Sequence, residues 1–101
     1  MTLTSLLSTA SGKMAAIFKH NPSDKSATSL LKGLQFECDS FGYEIKGDTV
    51  HLFDTSKPDS SRFALDSSHI SSIKAKQKKD KYGALSAKLF VGEDVYHLQF
   101  A

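Results

Sequence analysis

Five lysines fall between positions 74 and 81, at Lys74, Lys76, Lys78, Lys79 and Lys81, and they are the side chains whose type and spacing come closest to a chemistry. On a β-strand, Lys74, Lys76 and Lys78 project from one face at intervals of about 6.6 Å. That interval is close to the separation of successive phosphates along an extended nucleic-acid strand, so the run could follow an anionic polymer or rest on an anionic surface such as lipid. Only Tyr82 and Phe90 stand near it in sequence as stacking partners, and no RNP-like, helix-turn-helix or zinc-finger pattern accompanies it. A plainer role is also open: the lysines solvate a protruding hairpin and keep an edge strand from pairing with other chains.

The remaining reactive residue types are dispersed. His20, His51, His69 and His97 lack any ligand spacing such as His-x-His or His-x₃-His, so no metal site is expected. Cys38 is the only cysteine; it alternates inward with Leu34 and Phe36 and is expected to be a buried thiol. Serine is abundant, but much of it lies in the pairs Ser60-Ser61, Ser67-Ser68 and Ser71-Ser72, and there is no Gly-x-Ser-x-Gly elbow to activate a nucleophile. The six glycines are scattered and form no phosphate-cradling loop. Asp54, Asp59, Asp66 and Asp80 fall at expected loops and strand ends, which suits turn chemistry better than paired-carboxylate catalysis. These observations argue against an enzyme and against a cofactor.

Composition sets the frame for the elements that must carry these residues. At 101 residues the chain has the length of a single domain, 1–101, with 40% hydrophobic and 24% charged residues, typical of a folded domain. The formal net charge of +2 is too small to imply nucleic acid by itself, and the excess of basic residues lies between Lys74 and Lys81. A lone cysteine excludes an intrachain disulfide and suits a reducing, cytoplasmic setting. No apolar run reaches the roughly 20 residues of a transmembrane helix. Residues 1–23 are free of acids and rich in Ser and Thr, loosely like a mitochondrial transit peptide, but they contain no Arg.

Helical periodicity dominates the start of the chain. Wound as a helix over 3–18 and stopped near His20 by Asn21-Pro22, the residues Leu3, Leu6, Leu7, Ala10, Met14, Ile17 and Phe18 share an arc of about 120°. A second helix is expected from Ser23, its N-cap, with Ala27, Leu30, Leu31 and Leu34 as a stripe broken by Gly33. From residue 34 the period becomes twofold. Tyr43–Lys46, Gly47-Asp48 and Thr49–Phe53 read as a hairpin with a type II′ turn, pairing Ile45 with Val50 and Tyr43 with Leu52. Arg62–Leu65 reads as a short strand, and Leu85–Val91 and Tyr96–Phe100 as a hairpin around Gly92-Glu93-Asp94 whose reverse face carries Ser86, Lys88, Phe90, Val95, His97 and Gln99. Residues 66–82 favour a strand over a helix capped by Asp66 or Ser67, since Ile70 and Ile73 are too few to anchor a helix.

The expected architecture is therefore α+β: a helical part, 1–33, followed over 34–101 by an antiparallel meander of about six strands, a small β-roll or half-barrel. The expected function is a non-catalytic binding module that acts through a protein partner or as a homo-oligomer, with Leu3, Leu7, Met14 and Phe18 as the contact stripe. The alternative is an anionic-ligand binder, for a membrane surface or nucleic acid, using Lys74, Lys76, Lys78, Lys79 and Lys81.

Overall fold

Thr2 caps the first element: its hydroxyl accepts a hydrogen bond from the Ser5 amide at 3.1 Å and starts helix α1, Leu3–Ala10. The computed structural model describes residues 2–20, 33–57, 59–77 and 84–101. Within them the helix ends far earlier than its apolar period suggests. Ser11 leaves the helical conformation and Gly12 follows at φ +83°, a backbone state that suits glycine just past a helix end. The amide of Gly12 then donates to the Phe41 carbonyl at 2.9 Å, and the chain runs on as strand β1, Ala15–His20. The single helix expected over 3–18 is thus a helix followed by a strand. Leu6, Leu7 and Ala10 turn into the core, whereas Met14 is 58% exposed. The second helix expected from Ser23 lies outside the described residues.

Seven further strands follow: β2 Leu34–Cys38, β3 Phe41–Lys46, β4 Thr49–Asp54, β5 Phe63–Asp66, β6 Ile70–Gln77, β7 Leu85–Val91 and β8 Asp94–Phe100. Every pairing is antiparallel, so the α+β expectation holds, with eight strands among the described residues in place of about six. They form two sheets, one in the order β2-β1-β8-β7-β6 and one in the order β3-β4-β5. Neighbours in sequence are neighbours in space except where the chain passes between sheets, after β2 and after β5. At those two places the ladder is interrupted, and the strands do not close into a barrel.

The β3–β4 hairpin has the expected register, with Ile45 opposite Val50 and Tyr43 opposite Leu52. Gly47 has φ +60° and Asp48 has a negative φ, the sign pattern of a type II′ turn. Val50 and Leu52 are buried, while Ile45, nearer the hairpin tip, is 47% exposed. Residues 66–82 follow the strand reading. Asp66 caps only a single 3₁₀ turn, Ser67–His69, and β6 follows it. Strict alternation would send Ile70 and Ile73 to opposite faces, but a bulge between Ile70 and Ser72 brings both against the core.

The inner faces of the two sheets meet around one apolar cluster. Ile17, Phe36, Leu85, Leu89, Leu98 and Phe100 come from the larger sheet, and Phe41, Val50, Leu52 and Leu65 from the smaller. Phe41 and Phe100 stack edge to face across the gap at 5.1 Å. Leu6, Leu7 and Ala10 add the helix to that cluster, so α1 spends its apolar face on the chain's own interior.

Candidate functional site

Strand alternation decides what the five-stranded sheet shows to its surroundings. On β7, Leu85, Ala87 and Leu89 point inward, which turns Ser86, Lys88 and Phe90 outward. On β8, Leu98 and Phe100 point inward and His97 and Gln99 outward; on β1, Ile17 points inward and Ala16 and Phe18 outward. The registers then align these side chains in rows across the sheet. One row runs Lys74, Lys88, His97, Phe18, Leu34 from β6 to β2. The next runs Lys76, Ser86, Gln99, Ala16, Glu37.

Lys74 and Lys88 are therefore direct cross-strand partners, an arrangement that repels. Among the described residues neither they nor Lys76 form an ion pair, whereas Lys19, Lys46, Lys57 and Arg62 each have an acidic partner within 4.0 Å. The Lys74 ammonium instead lies 5.5 Å above the Phe90 ring, a cation–π contact. Along the second row the acid that shares this face, Glu37, is separated from Lys76 by three strands. The face is cationic at its β6 edge and apolar at the exposed Leu34 on the opposite edge; between them Phe90 and Phe18 are half-buried and Val95, opposite Phe90, is buried.

The four residues expected as a contact stripe are not brought together. Leu7 is enclosed in the core and Leu3 packs against it. Met14 immediately precedes β1 and Phe18 lies within it, about 13 Å apart along the extended chain. Of the five lysines in the run, Lys74 and Lys76 lie exposed on β6, and Lys78, Lys79 and Lys81 lie outside the described residues. Lys88 is the functional candidate that the lysine run does not contain. Its signal was its place on the reverse face of the C-terminal hairpin, but its relation to Lys74 depends on β6 pairing with β7.

A concavity of about 880 Å³ opens where the ends of β1, β2, β7 and β8 approach the loop after β4, with Met14, Cys38, Asp54, Lys57, Leu85 and Phe100 in its walls. Asp54 is a charged side chain only 4% exposed, and its oxygens are occupied. It accepts hydrogen bonds from the amides of Asp39 (3.2 Å), Ser40 (3.3 Å) and Ser56 (3.0 Å) and from the Ser56 hydroxyl (2.6 Å). The Ser56 hydroxyl above all, with these amides, holds its carboxyl below the usual aspartate range. Asp54 thus clasps the β2–β3 turn to the loop after β4. Burial, with the nearby Asp54 charge, pushes the Cys38 thiol up to about 11, which keeps it protonated and a poor nucleophile at neutral pH.

His51, His69 and His97 stay apart: His51 is on β4 in the smaller sheet, His69 sits 3.6 Å from Asp66 on the 3₁₀ turn, and His97 faces outward on β8. Among the described residues no three His, Cys, Asp or Glu side chains stand together as a metal-binding group. No helix among them is long and apolar enough to cross a membrane. Comparison with protein-family models, with curated proteins and with solved structures finds no match to this chain, so the reading of the site rests on its own geometry.

Proposed function

We propose that this chain is a non-catalytic binding module that engages an anionic ligand through the outer face of its five-stranded sheet, at Lys74, Lys76 and Lys88. The observation that carries the reading is the Lys74–Lys88 cross-strand pair, which has no neutralising acid among the described residues. Opposed like charges on a sheet cost about 0.2–1 kcal/mol, and a ligand with negative charge turns that cost into attraction. The lysines within the run but outside the described residues, Lys78, Lys79 and Lys81, extend the same charge in sequence.

A protein partner or second copy held by Leu3, Leu7, Met14 and Phe18 has less to act on, because Leu7 is wholly enclosed and Met14 and Phe18 stand apart. Binding without catalysis is supported by the two groups with a conceivable reactive role. Asp54 is occupied by loop donors, and Cys38 is a protonated thiol. That lone buried thiol also suits a cytoplasmic compartment.

Retention on immobilised heparin tests the reading. Wild-type protein is expected to bind at low salt and elute early after Lys74→Glu, Lys76→Glu and Lys88→Glu are combined, with its circular dichroism spectrum unchanged. Equal retention of the folded triple variant and the wild type overturns the assignment of the face.

A further inference from the structure

Resting on the anionic-ligand reading above, we infer that the ligand is an acidic segment of a partner protein, which adds as a further strand to the open edge of β6 and sets its carboxylates beside Lys74 and Lys76. β6 is the last strand of the larger sheet, and β7 is the described strand that runs beside it. One side of its backbone is spent on that ladder. The other side makes no backbone hydrogen bond among the described residues, so the amides and carbonyls that alternate away from β7 are left to water or to a guest strand.

The side chains show the same edge open. Ser71, Ser72, Lys74, Ala75 and Lys76 are exposed, and Ile73 is half-buried. Ala75 is the informative one. It shares the core side of the sheet with Ala87, its partner on β7, yet Ala87 is 5% exposed while Ala75 lies open. The inner face of the sheet thus ends uncovered at Ala75, as the outer face ends in Lys74 and Lys76. A strand that fits beside β6 carries small or apolar side chains on one face, over Ile73 and Ala75, and acids on the other. Each acid then stands opposite or diagonal to a lysine, where unlike charges attract. The Lys74 ammonium now rests over Phe90, and its flexible stem lets it swing to the edge.

Protein edges are commonly blunted by short strands, proline, bulges or charge. β6 is eight residues long and contains no proline, and its bulge lies at its start, which leaves residues 72–77 in regular register. Lysine is the remaining guard, and it is a selective one. A second copy of this chain pairing through the same stretch brings lysine against lysine, whereas an acidic strand is drawn in. A nucleic acid or a sulfated polysaccharide satisfies the lysines and leaves the backbone edge and Ala75 unused.

Fluorescence anisotropy with a labelled peptide as long as β6, alternating glutamate with valine, tests the inference. Two control peptides are measured beside it, one with the same residues in two blocks and one with the alternating sequence N-methylated throughout. Strand addition predicts at least about tenfold weaker binding of the N-methylated peptide, which keeps its charge and loses the ladder, and at least about fivefold weaker binding of the block peptide. Lys74→Glu combined with Lys76→Glu should lose the glutamate peptide and take up one that alternates lysine with valine. Equal binding of the alternating and N-methylated peptides, or no uptake of the lysine peptide by a variant with an unchanged circular dichroism spectrum, overturns strand addition, while retention on heparin leaves the anionic-ligand reading standing. Tighter binding of labelled oligothymidylate than of the alternating peptide overturns it in favour of nucleic acid. A dimer in sedimentation that leaves the peptide unbound does so in favour of a second copy. Absence of binding to peptide, oligothymidylate and heparin alike overturns both readings.

Discussion

Among single residues, Lys88 separates a binding role from a structural one most sharply. If its ammonium serves only the fold, its position opposite Lys74 is a defect. Lys88→Glu replaces a repulsion by an attraction and should raise stability by up to about 1 kcal/mol in urea unfolding, while retention on heparin falls. A gain in stability without a loss of binding would mean that Lys88 takes no part in the face. Asp54 gives a prediction of opposite character, because its four donors favour the carboxylate. With its folded pKa held below the ordinary 3.8, the stability it contributes is complete above that value and is lost as pH falls through the folded pKa. Glu44, held low mainly by the Arg62 guanidinium at 3.2 Å, shifts in the same direction. Melting temperature should therefore drop on the acid side. Asp54→Asn should lower it at neutral pH and flatten that drop, since one acceptor becomes an NH₂ that faces other donors. An unchanged acid profile in Asp54→Asn would remove Asp54 as the clasp.

At the scale of an element, legibility depended on whether the deciding contacts were local. The β3–β4 hairpin was readable in full, because its turn and its two strands adjoin and Gly47 supplies the positive φ that a type II′ turn needs. Gly47→Val should cost about 1–3 kcal/mol and Asp48→Asn almost nothing, as thermal unfolding of the two variants will show. The first helix was misread because apolar periodicity was followed through Ser11-Gly12. A glycine there was itself the stop signal, and Met14, Ile17 and Phe18 shared the helical arc by coincidence. In the strand that follows, Ile17 is buried and Met14 is left outside. Truncation separates the two halves of the supposed stripe: Leu7→Ala should lower stability by about 2–5 kcal/mol and Met14→Ala by less than about 0.5 kcal/mol. Comparable losses would restore a continuous helix. The lysine site was half readable. Alternation placed Lys74 and Lys76 on one face of a strand, but Lys88 joined them only once β6 was seen to pair with β7 across a bulge that no local pattern announced.

Over the whole molecule, the parts hidden from sequence are the pairings that join distant segments. β1 completes the larger sheet by lying between β2 and β8, so that Ala15 meets Phe100 from the other end of the chain. Nothing in the apolar period of residues 3–18 carries that information, and the five-stranded outer face does not exist without it. The division into two sheets, with the chain crossing between them after β2 and after β5, likewise follows from packing Phe41, Val50, Leu52 and Leu65 onto the larger sheet. Turn chemistry alone indicated only a meander. Whether an anionic ligand lies on this outer face can be read from backbone amide resonances followed during titration with a short heparin oligosaccharide. The largest shifts should cluster at Lys74, Lys76, Ser86, Lys88 and Phe90 and be absent from α1 and β4. Shifts concentrated instead around Met14, Cys38, Asp54 and Phe100, or spread without preference over both sheets, would contradict it.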